Sequence, residues 1–193
     1  MSTNNETLEG QLREIYGRVA YTHKTHEKMA DQVLGKYKWI KSIEIACSAL
    51  SASSLILAVF GDAKTGTVIG AIFSTILLGL LLYFKEANLG ELANKHAEAA
   101  SKLWGVRERL LSALVDLRRN SNAENATEIR DDVNAELESI YRAAPRTNGK
   151  AYAAAQKGLK LQEELFFSDD ELDHLLPKQL RSTHKHSSTG PTT

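Results

Sequence analysis

The sequence predicts an all-α fold: a two-helix transmembrane hairpin carried on long cytoplasmic helices that form a coiled-coil-like bundle. Three observations point there. Ile43–Gly61 and Thr65–Phe84 are two apolar runs split only by Asp62, Ala63 and Lys64. Each has the ~20 residues a helix needs to cross a hydrocarbon core. Downstream, Leu89, His96, Leu103, Leu110 and Leu117 recur every seven residues, the spacing of a helical seam. No stretch shows the alternation of a half-buried strand.

In chain order, residues 1–41 read as an amphipathic helix outside the membrane. Leu8, Leu12, Ile15 and Val19 fall on one face, and the stripe continues through His26, Ala30, Val33 and Tyr37. No proline interrupts it before the hairpin, residues 42–84. No small-residue cleavage site follows the first apolar run, so it is not expected to be a signal peptide. Lys36, Lys38, Lys41 and Lys85 flank the hairpin, while its turn holds one Asp and one Lys. That excess predicts a multi-pass protein with both termini cytoplasmic. Tyr37 and Trp39 at one end, with Tyr83 and Phe84 at the other, are placed to sit together at the headgroup level.

Residues 85–119 form the heptad helix. Leu92, Ala99, Val106 and Ala113 fill its intermediate seam positions. The seam fits packing within one chain as well as packing between chains. Residues 120–181 follow as a C-terminal helical segment. Asn120–Asn125 is a polar break, and Thr127 is positioned to cap a helix ending before Pro145. A further helix is expected over Ala151–Phe166. A capping box, Ser168 with Glu171, precedes a short helix over Asp169–Leu176 that Pro177 stops. The Ser-, Thr- and His-rich residues 182–193, with His184 and His186, read as disordered.

The chain has 193 residues, 42% of them hydrophobic, and a formal charge of zero. No strongly basic face is evident, so direct nucleic-acid binding is not expected. The single cysteine, Cys47, lies inside the first run and reads as a small core residue. His23 and His26, one turn apart, read as a solvated or interfacial pair, because a metal site wants three or four ligands. His96 on the seam is a position that tunes register or responds to pH. There is no phosphate loop, nucleophile elbow or Cys/His cluster, so neither enzymatic activity nor a cofactor is expected.

Two sets of residues in the hairpin invite a function. Glu44, Ser48 and Ser51 share a helix face that Ala58 and Asp62 extend toward the turn, with Leu55 interrupting it. A polar face of this kind is costly in lipid unless it meets water or other helices. It is therefore a candidate pore lining, against the plainer reading that the hydroxyls bond their own backbone. Gly66, Gly70 and Ser74, four apart, form a small-residue row suited to close helix packing. With Ala49, Ala52 and Ser53 on the first run, they would let the hairpin close on itself or let hairpins associate side by side.

The helix containing Tyr21-Thr22-His23-Lys24, the short-turned hairpin and the long following helix together resemble the SLATT domain. Ala144-Pro145-Arg146-Thr147-Asn148, Ser168-Asp169-Asp170-Glu171-Leu172-Asp173 and Leu175-Leu176-Pro177 are similar to one subfamily with an extended C-terminal helical segment. The likeness runs to about Leu180. It implies a two-span effector of the bacterial inner membrane, encoded near nucleotide-second-messenger or reverse-transcriptase defence genes. Its expected partners are the lipid bilayer, further copies of itself and a companion sensor protein. Such effectors are thought to open membrane pores when infection is sensed, and the family offers no catalytic residues. The competing expectation is a non-conducting, membrane-anchored scaffold whose coiled coil recruits a partner.

Overall fold

A computed structural model describes residues 3–120, 123–162, 164–165, 167–175 and 177. Among the described residues all regular structure is α-helical. The helices are α1 (Thr3–Phe60), α2 (Ala63–Ala87), α3 (Leu89–Asn120), α4 (Ala123–Ala143), α5 (Gly149–Leu161) and α6 (Asp169–Leu175). Residues 1–155 make one compact unit and residues 156–193 a second.

The amphipathic helix and the first apolar run are one uninterrupted 58-residue helix, α1. The first proline of the chain is Pro145, so nothing removes a backbone donor along α1. The chain reverses in two residues. The Gly61 N–H bonds the Leu57 carbonyl at 2.9 Å, and Asp62, in extended conformation, caps α2 by accepting from the Lys64 N–H at 3.0 Å. The Thr65 hydroxyl donates to the same carboxylate. These bonds hold the Asp62 carboxyl below the usual carboxylate range, led by the one from Thr65.

The return path is jointed where α1 is not. Asn88 adopts a left-handed conformation, φ 37° and ψ 47°, and its N–H closes α2 on the Phe84 carbonyl at 3.2 Å. Its own carbonyl then accepts from Leu92 N–H at 3.0 Å to start α3. Asn is among the few non-glycine residues that visit this region readily.

Two cores follow from this path. The larger joins Leu8, Leu12, Ile15 and Val19 of α1 to Leu103, Val106, Leu110 and Leu117 of α3 and to Val133, Leu137 and Ile140 of α4. The smaller joins Met29, Val33 and Ile40 of α1 to Leu89 and Ala93 of α3 and Ala151 of α5. The heptad seam is thus satisfied inside one chain.

Two helices are bounded differently from expectation. The fourth helix starts at Ala123 rather than at a Thr127 cap, so Thr127 lies inside it and the polar break is narrower. The fifth spans Gly149–Leu161 and stops short of Phe166. In the second unit the Gly158 carbonyl accepts from Glu164 N–H at 3.0 Å, and Leu165 takes φ 86°. The capping box forms: Ser168 N–H donates to the Glu171 carboxylate at 2.8 Å and Glu171 N–H to the Ser168 hydroxyl at 3.3 Å. Phe166, Leu176 and residues 182–193, on which expectations fell, lie outside the described residues.

Candidate functional site

The hairpin is held together by small side chains. A Cβ on Gly66 would sit 2.5 Å from the Ala58 backbone nitrogen, and one on Gly70 would sit 2.5 Å from the Ser54 hydroxyl. Two helices this close require glycine at the crossing. One step on, the Ser51 and Ser74 hydroxyls are 2.8 Å apart. Gly66, Gly70 and Ser74 therefore face Ala58, Ser54 and Ser51 in antiparallel order. Ala49, Ala52 and Ser53 are exposed, so the hairpin does not close on itself through them. The difference is one of helical phase. Cys47, Ser51, Ser54 and Ala58 recur at four, three and four, a small-residue stripe on the neighbouring face that was the available signal for the true contact.

Each candidate lining residue has a definite place. Glu44 is largely covered and pairs with Lys41 at 2.8 Å. Ser48 is exposed, and its hydroxyl donates to the Glu44 carbonyl at 2.8 Å. Ser51 and Ala58 lie against α2, and Asp62 caps that helix. Ser53, Thr67 and Thr75 likewise return their hydroxyls to the carbonyl four residues back, at 2.9, 2.7 and 2.8 Å. Hydroxyls so bonded carry little cost in an apolar medium.

The hairpin's outer face is bare. Leu55, Ile56, Val59 and Phe60 of α1 and Val68, Ile72, Leu78 and Leu82 of α2 are all exposed, Phe60 at 86%. Only 11% and 6% of the most apolar stretches of the two long helices are buried. A core helix of a water-soluble domain would be mostly covered, so lipid is the medium these faces fit. Where α1 enters the apolar zone, Tyr37 meets Phe84 edge-on at 5.5 Å. The Lys36 ammonium donates to the Tyr83 hydroxyl at 2.6 Å, and that of Lys41 lies 4.9 Å from the Phe84 ring centre. The aromatic and basic residues of both helix ends share one level, as an interfacial belt does.

Beyond that belt the seam residues Leu89, His96, Leu103, Val106, Leu110 and Leu117 are buried, and Leu92 is half-buried. Of the two readings of the histidine pair, solvated or interfacial, the structure agrees with the interfacial one. His23 and His26 are buried, not solvated. His23 Nδ1 lies 2.9 Å from the Ala100 carbonyl, and His26 Nδ1 lies 2.9 Å from His96 Nδ1. Spacing within one helix shows nothing of a third imidazole arriving from 70 residues away. Among the described residues no three His, Cys, Asp or Glu side chains are arranged to hold a metal ion.

A bare apolar hairpin, an interfacial belt and a polar helical bundle are the marks of a membrane protein with two helices long and apolar enough to cross a bilayer. Residues 8–171 match the SMODS and SLOG-associating 2TM effector domain family 4, and the chain belongs to that family. Membership carries an effector role in conflict systems. No curated protein and no solved structure matches the chain.

Proposed function

We propose that this protein is a non-enzymatic effector that assembles with copies of itself and permeabilises the bacterial inner membrane when a companion sensor signals. The observation that carries this reading is the unbroken passage of α1 from the polar bundle into the bare apolar hairpin. A change in the bundle is thereby delivered to the span without an intervening joint. Two helices in contact enclose no lumen, so conduction requires several hairpins. Ser48, exposed on α1, is available to line the shared space, together with Glu44 near its mouth. Ser51 and Ala58 would join them only if α1 turned away from α2. Both termini are taken as cytoplasmic, where a nucleotide-signalling or reverse-transcriptase type sensor would reach the bundle.

Membrane potential in bacteria expressing the protein, followed by dye fluorescence, tests this. Depolarisation by wild type but not by Ser48→Leu at equal membrane abundance is the expected result. Depolarisation by both keeps the pore and discards this lining. An unchanged potential, even with the companion genes co-expressed, overturns the reading.

One observation favours the scaffold as a second reading. Trp104, Leu111 and Val115 are 52%, 42% and 56% exposed on the face of α3 turned away from its seam. The seam itself is occupied by α1 and α4, so a recruited partner would have to use this outer row. A scaffold loses function in Trp104→Asp/Leu111→Asp while Ser48→Leu keeps it.

A further inference from the structure

His96 interrupts a seam of leucines at the level where α1 and α3 pass from one core to the other. It is fully buried, at 0% exposure, and His26 opposite is at 3%. Their rings lie 5.1 Å apart, with the two Nδ1 atoms at 2.9 Å. Such a contact needs one N–H and one lone pair, so the pair must hold fewer than its full complement of protons. His96 Nε2 is buried and has no hydrogen-bond partner. A proton added there would place an unpaired charge in the core, among the costliest things a fold can hold. Leucine, which fills the neighbouring seam positions, would pack here without that liability.

We propose that the His26–His96 contact is a proton-operated latch, whose full protonation parts α1 from α3 and loosens the bundle that α1 ties to the first span. The link to conduction rests on the function proposed above; the parting of the helices does not.

The charged surroundings offer the extra proton no compensation at His96. On α1, Glu27 is held by Lys24 at 2.8 Å and stands 3.7 Å from His23 Nε2 rather than bonding either imidazole of the pair. On α3, Lys95 and Lys102 are turned to the exposed face and paired with Glu91 and Glu98, each at 2.6 Å. On α4, Glu136 is taken by Arg109. α5 contributes Tyr152, stacked on Tyr21 with ring centres 6.2 Å apart, and the exposed Lys150. Burial, with the neighbouring His96 and His23 adding to it, pushes His26 down to about 4, and burial lowers His96. The parted helices would titrate near the ordinary ~6.5. The closed state is therefore favoured above ~6.5 and loses ground as pH falls from there toward about 4, because the open state binds more protons.

Amide hydrogen exchange of the full chain in phosphatidylcholine–phosphatidylglycerol nanodiscs reads this directly. Rates are compared at pH 7.5 and 5.0 after correction for intrinsic exchange. In wild type, protection over residues 12–26 and 96–110 should fall about 30-fold at pH 5.0, tenfold per unit across the ~1.5 units below 6.5 for one imidazole. His26→Leu/His96→Leu should keep equal protection at both values. Equal protection in wild type, or an undiminished fall in the double variant, overturns the latch. Should the double variant not fold, His96→Leu alone, which continues the leucine seam, should lose at least half of the response. Ion leakage from liposomes is followed in parallel. Parting without leakage removes the pore but not the latch, and leakage without parting removes the latch.

Discussion

α1 packs twice, and by opposite rules. Its polar half meets α3 through large side chains, Leu12, Ile15 and Val19 against Leu103, Val106 and Leu110. Its apolar half meets α2 through almost no side chain, Ala58, Ser54 and Ser51 against Gly66, Gly70 and Ser74. In water, burying a leucine is itself favourable by ~1.5–3 kcal/mol. In lipid that gain vanishes, because the tails are as apolar as leucine, and only close backbone approach and hydroxyl pairing remain. The same helix therefore carries bulk where the solvent is water and the lack of it where the solvent is hydrocarbon.

The contrast is broken most sharply by a charge in the bundle. Leu103→Asp places a carboxylate at a fully buried position, and we expect a loss above ~4 kcal/mol. Protease resistance of α1 and α3 in nanodiscs reads it. Leu110→Ala should cost about 2–5 kcal/mol by the same assay. Next come the glycines, which sharpen the comparison between rigid and yielding neighbours. Gly66→Ala meets Ala58 backbone, whereas Gly70→Ala meets only the Ser54 hydroxyl. The first should cost about 1–3 kcal/mol and the second distinctly less. The yield of a disulfide engineered across α1 and α2 ranks them, and equal yields would mean that the helices are not in backbone contact.

Smaller still is the joint. Asn88→Gly should stabilise α3 by up to ~1 kcal/mol, because glycine takes positive φ freely, and Asn88→Ala should destabilise it by a similar amount. Exchange rates at the start of α3 distinguish the two directions. Least of all, Ser51→Ala should cost ~0.6 kcal/mol, the mean for a hydrogen bond between membrane helices. Its effect should disappear in a Ser74→Ala background.

The hairpin and the leucine seam were legible in the sequence because each is a local repeat, apolar over twenty residues or recurring at seven. The turn was equally plain, since Asp62 and Lys64 break the apolar run, but the Asp62 cap, a local contact read instead as part of a polar face, was missed. Pairings between distant segments were not legible. Ala49, Ala52 and Ser53 satisfy the small-residue rule as well as Ser51, Ser54 and Ala58 do. Nothing in the spacing alone chooses between these two faces. His23 and His26 read equally as solvated or interfacial until His96 is brought opposite. Thr127 is a sound cap in isolation, but Ala126 is needed in the core with Val133 and Leu137, so the helix begins a turn earlier.

The 58 unbroken residues of α1 amount to a stiff rod roughly 85 Å long. Its belt at Tyr37 and Ile40 lies about two thirds of the way along, so the rod has two arms of unequal reach. A tilt of about 10° about that fulcrum would carry Leu12 through ~7 Å and the hairpin turn through ~5 Å, by the ~1.5 Å rise per residue. α2 and α3, packed along both arms, would have to repack or move with it. Such a lever transmits force in both directions. A load on the apolar arm, from a thinner or more tightly curved bilayer, would be felt at the leucines on the other.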